Sequence, residues 1–195
     1  MRHLLIVGAL CALLAACSGK AEPTTTTTTQ PATTSTVTTT TTTQPTTTTT
    51  EPVVLAPLNG LPVTDPTTID RRVLAVKIDN HPAARPESGI QEADAVIELP
   101  VEGITRFMAL FNVNDSTYLG PVRSGRPTDP TLVKPLGGTF AISGAQSWVL
   151  DIIHKDDVPM IVDSRPGMFR ISSRAAPHNL YGDTTALRQV ADDRG

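Results

Sequence analysis

The sequence predicts an α/β domain, a mixed, partly antiparallel sheet with packed helices, carried behind a disordered threonine-rich tether. Three patterns predict it. Apolar runs of strand length lie at 72–79, 93–99 and 104–113, each ending in a polar or charged cluster. Trp148, Val149, Ile152 and Ile153 recur at helical spacing, as a helix packed on a sheet requires. Residues 20–52 are threonine runs broken by proline, with too few apolar side chains to offset the entropy of ordering.

In chain order, Pro57 to Pro62 opens the domain as a turn around Asn59-Gly60. Arg72 to Asp79 reads as a strand with Leu74, Val76 and Ile78 on one face and Val73, Ala75, Lys77 and Asp79 on the other. His81-Pro82 ends it, because the residue before a proline is held extended, and 83–90 is a loop. Ala93 to Leu99 is a second strand, Val101-Glu102-Gly103 the connection of a hairpin, and Ile104 to Val113 the returning strand. That third strand is apolar on both faces, which suits an interior position in a covered sheet. Tyr118 to Ser124 is a short extended segment, and Asp129 caps a short helix carrying Leu132 and Val133. Thr139 to Ser143 is a buried strand after Gly137-Gly138. The helix of 146–154 follows, with His154 suited to its carboxyl end. Met160 to Val162 is one more strand, and Asp183 starts a final helix.

The first residues carry an address. Arg2 and His3 precede the apolar run Leu4–Leu14, which is too short to span a bilayer. Leu14-Ala15-Ala16-Cys17 then resembles a bacterial lipobox, in which cleavage before the cysteine is followed by acylation of its thiol. The expected organisation is a signal peptide and lipobox over 1–17, a linker over 18–54, which is either a bare spacer or an O-glycosylated stalk, and a globular domain over 55–195. Acyl chains such as palmitate on Cys17 would hold the protein on the extracytoplasmic face of the membrane. The chain has two cysteines, Cys11 and Cys17. The domain therefore has no disulfide, thiol nucleophile or cysteine-based zinc site.

The formal charge is −3 with no basic stripe, and aromatic residues are scarce, so a dedicated nucleic-acid binder is excluded. The most informative residue is Arg106, a cation in a strand that ought to be interior, where an unpaired guanidinium costs several kcal/mol. Glu98 and Glu102 are its nearest expected partners. The result is either a structural ion pair that sets the register or one wall of a polar pocket. Arg123-Ser124-Gly125-Arg126 makes an anion cradle or a solvated loop, since the guanidinium fork matches carboxylate and phosphate. Asp79, Asn80, His81, Arg85, Arg174, His178 and Asn179 complete the candidate ligand-binding set. Asp79, His81 and His178 are too far apart in sequence to assign a metal, and no cofactor is expected.

VKIDNHPAARPESG, ADAVIELPVEGITRFMALF, YLGPVRSGRP and SSRAAPHNLY, in this order, resemble the YerB-like lipoproteins, a bacterial domain family of unknown function. The resemblance runs from about Pro57 to the chain end and implies a lipid-anchored envelope protein without an assigned activity. Family members usually continue into a second conserved region that this chain, stopping at Gly195, does not carry.

Two functions compete, with a third behind them. Arg85, Arg106, Arg123, Arg126, Arg170 and Arg174, if convergent, form a pocket for an anionic or glycan ligand of the envelope. Alternatively Asp79, Glu98, Glu102 and Asp129, with His81 and His178 as proton carriers, serve an envelope hydrolase. No Gly-x-Ser-x-Gly, HExxH or phosphate-loop pattern supports the second reading. Unpaired carboxylates would favour hydrolysis and paired ones binding. The third reading is a scaffold for a protein partner.

Overall fold

The computed structural model describes residues 52–163 and 166–193. The signal peptide, Cys17 and the threonine-rich linker expected from the sequence lie outside the described residues.

The domain is built on one five-stranded mixed sheet in the order β2-β3-β1-β4-β5. Its strands are β1 (Leu74–Asp79), β2 (Ala95–Val101), β3 (Ile104–Phe111), β4 (Thr139–Ile142) and β5 (Met160–Val162). β1, β2 and β3 form an antiparallel group, while β1, β4 and β5 run parallel. Every residue of β1 is buried, as expected of a central strand covered on both faces. Leu74, Val76 and Ile78 enter one core with Ala109 and Phe111; Val73 and Ala75 enter the other with Met108 and Leu110.

The first core is closed by α3 (Thr184–Asp192) and a two-stranded ribbon of β6 (Met168–Arg170) and β7 (Leu180–Gly182). The second is closed by α1 (Pro130–Val133) and α2 (Ser147–Lys155), through Val133, Val149 and Ile153. Asp183 caps α3, its side chain accepting from the N–H groups of Thr185 and Ala186. Among the described residues no helix is long and apolar enough to cross a membrane.

Three local expectations are corrected. Val101 belongs to β2 and pairs with Ile104, so the hairpin turn is Glu102-Gly103 alone, both at positive φ (48° and 84°), as primed two-residue turns require. Asp129 stands at the start of α1 without capping it, because its carboxylate turns inward to Lys77. Trp148 does not pack on the sheet: it stands 52% exposed while Val149 and Ile153 fill the core. The β6–β7 ribbon, three residues in each arm, is not among the strands the sequence predicts.

Candidate functional site

β4 pairs only with the first half of β1. Beside the second half runs the extended segment 119–123: Ile78 bridges Val122, Asp79 N–H donates to Pro121 O at 2.9 Å, and Arg123 N–H donates to Lys77 O at 2.8 Å. This substitution of one neighbour for another brings Arg123-Ser124-Gly125-Arg126 against the end of the central strand.

Asp79 is fully buried there. Its Oδ2 lies 2.7 Å from His178 Nδ1 and 3.1 Å from Arg123 Nε, and its Oδ1 accepts from His81 N–H at 3.2 Å. His178 arrives from the connection between β6 and β7 and stacks on His81, ring centroids 5.2 Å apart. His81 Nδ1 accepts from Ala83 N–H at 3.1 Å, which is committed to the turn after β1.

Arg106 is the register partner of Asp79 on β3 and only 4% exposed. Its Nη1 donates to Ser124 O at 2.8 Å. Its Nε has no hydrogen-bond partner, and no carboxylate reaches ion-pair distance, among the described residues. Burial first, then the positive charges of Arg126 and Arg123, depress the Arg106 guanidinium's affinity for its proton, with Asp79 and Glu102 opposing them.

Arg126 Nη2 is 2.9 Å from Glu102 Oε2 on the exposed hairpin turn, and its Nη1 donates to Gly125 O at 3.1 Å. Lys77, two residues before Asp79, is held 2.6 Å from Asp129 Oδ1 with both side chains fully buried. Burial lowers the Lys77 pKa, and the charge and hydrogen bond of Asp129 act against that shift. Four cations, Lys77, Arg106, Arg123 and Arg126, thus face three carboxylates, Asp79, Glu102 and Asp129, one of them on the rim.

The expected partnership of Arg106 with Glu98 and Glu102 does not form. Leu99, not Glu98, lies across from Arg106, so Glu98 projects from the opposite face. There Glu98 Oε1 accepts from Thr105 Oγ1 at 2.6 Å and lies 3.4 Å from Asn80 Nδ2. Asn80 also donates to Thr105 Oγ1 at 2.6 Å and accepts from Arg85 Nε at 2.8 Å. Arg174 ties the two loops together by donating to Ala84 O and Pro86 O. Asn179 lies in a third group, accepting from Arg170 Nη1 at 3.0 Å, with Arg170 paired to Asp163 at 2.7 Å. The candidate set therefore divides: Asp79, His81, Arg106, Arg123, Arg126 and His178 converge with Glu102 at the rim and the Ser124 carbonyl inside. Asn80, Arg85 and Glu98 line the other face, and Arg174 and Asn179 serve the loops.

Sequence reasoning overlooked the Lys77–Asp129 pair, whose signal was a lysine inside the apolar run Leu74–Ile78. It also overlooked Asp115. Its Oδ2 is 2.7 Å from Arg71 Nη1, and its Oδ1 is 2.9 Å from Arg188 Nε and accepts from Thr184 Oγ1 at 3.0 Å. Burial pushes the Asp115 carboxyl up, but the bond and charge of Arg188, with the bonds of Arg71 and Thr184, outweigh it and hold the group below its ordinary value. A depressed folded-state pKa means stability present above the unfolded value of about 3.9 and lost as pH falls through the folded value. Asp115→Asn is therefore expected to lower stability at neutral pH by about 1 kcal/mol, discounted for partial exposure, and to flatten the acid limb below about pH 4. Urea melts at stepped pH check this; parallel acid limbs for both proteins would refute it.

Among the described residues no three His, Cys, Asp or Glu side chains are grouped to hold a metal ion. What the convergent cluster offers is a concentration of guanidinium donors on a rigid strand end.

A mixed-sheet α/β domain agrees with the comparisons. The chain belongs to the family described as "Protein of unknown function (DUF3048) N-terminal domain", whose model matches residues 58–195. It is 35% identical over 144 residues to the Bacillus subtilis (strain 168) protein named "Putative lipoprotein YerB", covering 72% of this chain and 43% of that protein. The crystal structure of YerB from Bacillus subtilis matches with a TM-score of 0.67 at 33% identity, covering 73% of this chain and 50% of that one. The chain spans half or less of the length of these relatives.

Proposed function

We propose that the protein is a lipid-anchored extracytoplasmic domain that binds a polar or anionic cell-envelope ligand at the guanidinium cluster beside Asp79. The observation that carries the reading is Arg106: a cation 4% exposed, without a carboxylate in ion-pair contact among the described residues, and disfavoured by its charged neighbours. Packing alone gives no reason to keep such a group, since an apolar side chain of similar volume is usually as stable there or more so. Arg123 and Arg126 are partly exposed, so an anion seated on them would meet Arg106 behind. The carboxylates speak against hydrolysis. Asp79 and Asp129 are ion-paired, Glu102 is held by Arg126, and Glu98 is hydrogen-bonded to Thr105. The lipobox-like Leu14-Ala15-Ala16-Cys17 and the lipoprotein name of the relative support the anchor.

One fractionation experiment tests both halves. Cys17→Ser is expected to move the protein from the membrane to the soluble fraction. Arg106→Met should leave it membrane-bound but about tenfold less retained on purified cell wall, as loss of one charge-assisted contact implies. Its stability should fall by no more than one hydrogen bond, about 1 kcal/mol. Wild-type retention by Arg106→Met, with Arg123→Ala behaving likewise, would end the binding reading.

A further inference from the structure

Trp148 is the chain's single tryptophan, and its exposure is not slack. Its indole N–H donates to Gln146 Oε1, which fixes the ring without burying it. The ring forms one wall of an open cleft of about 280 Å³ whose other walls include Val101, Pro127 and the Glu102–Arg126 pair. Ligand pockets run from about 300 to 1,000 Å³, so this cleft is sized for one unit of a longer molecule.

Glu102 is the second unusual feature. It occupies a positive-φ turn position (φ 48°) next to Gly103, where asparagine is the residue the turn itself prefers. Its ion pair with Arg126 is largely exposed on the Glu102 side and adds little stability. Stability does not explain the glutamate. The arrangement does place a carboxylate acceptor and a guanidinium donor side by side, next to an open aromatic face and two apolar side chains.

A pyranose ring uses all of these together. Its C–H face lies on the indole, and neighbouring hydroxyls donate to the carboxylate and accept from the guanidinium. A free phosphate would be repelled by Glu102 and would leave Trp148 unused; an apolar peptide would leave the ion pair unused. We infer that this cleft binds one pyranose unit of an N-acetylated envelope glycan, stacked on Trp148, with its hydroxyls shared between Glu102 and Arg126 and its acetamido methyl against Val101 and Pro127. The inference rests on the reading above only in taking the ligand from the envelope; the cleft is a second site, sharing Arg126 with the guanidinium cluster.

Because there is one tryptophan, emission from the full chain reports on this cleft alone. Titration with triacetylchitotriose should change it saturably. Glu102→Asn should weaken binding about tenfold, the loss of one charge-assisted contact, without lowering Tm. Trp148→Ala, followed by calorimetry, should abolish detectable binding. Unchanged emission at millimolar sugar, or equal affinity in Glu102→Asn, overturns the inference. Wall retention that survives Trp148→Ala and Glu102→Asn but is lost in Arg106→Met overturns the sugar site and leaves the cationic site standing. Chitotriose binding that persists while Arg106→Met is retained normally supports the sugar site and removes the cationic one.

Discussion

Lys77→Met is expected to destabilise the domain by about 3–5 kcal/mol, the usual loss when one partner of a buried ion pair is removed. Lys77 sits in the middle of the central strand, opposite Met108, and neither its side chain nor that of Asp129 is accessible to solvent. With the ammonium gone, the Asp129 carboxylate keeps one close donor among the described residues, the N–H of Arg126 at 2.7 Å. One backbone hydrogen bond does not offset the desolvation of a full charge. The domain must then hold the buried anion with its counterion gone, which is unfavourable. Adding Asp129→Asn removes the charge while keeping an oxygen for the Arg126 N–H, so Lys77→Met/Asp129→Asn should recover more than half of the loss. Urea denaturation with an unchanged slope measures both. A loss below about 1 kcal/mol in the single variant, within the range of an exposed pair, would show that the pair is hydrated in solution.

Asp94→Ala follows with a loss of about 3–4 kcal/mol, by a different mechanism. Asp94 is 6% exposed and precedes β2. Its Oδ2 accepts from the N–H groups of Asn112, Val113 and Asn114 at 2.5, 2.9 and 3.2 Å, and its Oδ1 from Asn114 Nδ2 at 2.8 Å. One carboxylate thus satisfies three successive backbone donors where β3 ends. Hydrogen bonds to a charged group contribute about 1.5–3 kcal/mol each, and shared acceptors are less than additive. Alanine leaves all three donors without that partner. Hydrogen exchange at amides 112–114 should accelerate beyond the global change, whereas Asp94→Asn, which keeps one acceptor oxygen, should lose less. Exchange that rises equally across the molecule would deny Asp94 this local role.

Lys77 marks where local pattern stops being informative. The period-2 pattern puts Lys77 on the face of Ala75 and Asp79, but its partner lies 52 positions away, and nothing local in Asp129 distinguishes a helix cap from a buried counterion. Glu98 shows a finer limit. With Val101-Glu102-Gly103 taken as the connection, Glu98 would lie across from Arg106. The turn closes on two residues, the register slips by one, and Glu98 emerges on the opposite face beside Thr105. Trp148 fell at helical spacing yet faces solvent, because a nine-residue helix lying on a sheet buries one stripe and the stripe runs through Val149 and Ile153.

Elements with strong local signals are legible in the order of the residues alone. The apolar period marks β1 as a strand and β3 as interior, Gly137-Gly138 and Asp183 mark the starts of β4 and α3, and Arg106 marks a charge that would be buried. These follow from side-chain chemistry over neighbouring residues. Which charges meet is settled by the fold in three dimensions. Arg123 joins Asp79 because segment 119–123 replaces β4 beside the end of β1, and His178 reaches the same carboxylate from a ribbon too short to announce itself. Electrostatic partnership is set by distance in space, and the chain encodes that distance only through register, turn length and strand order acting together.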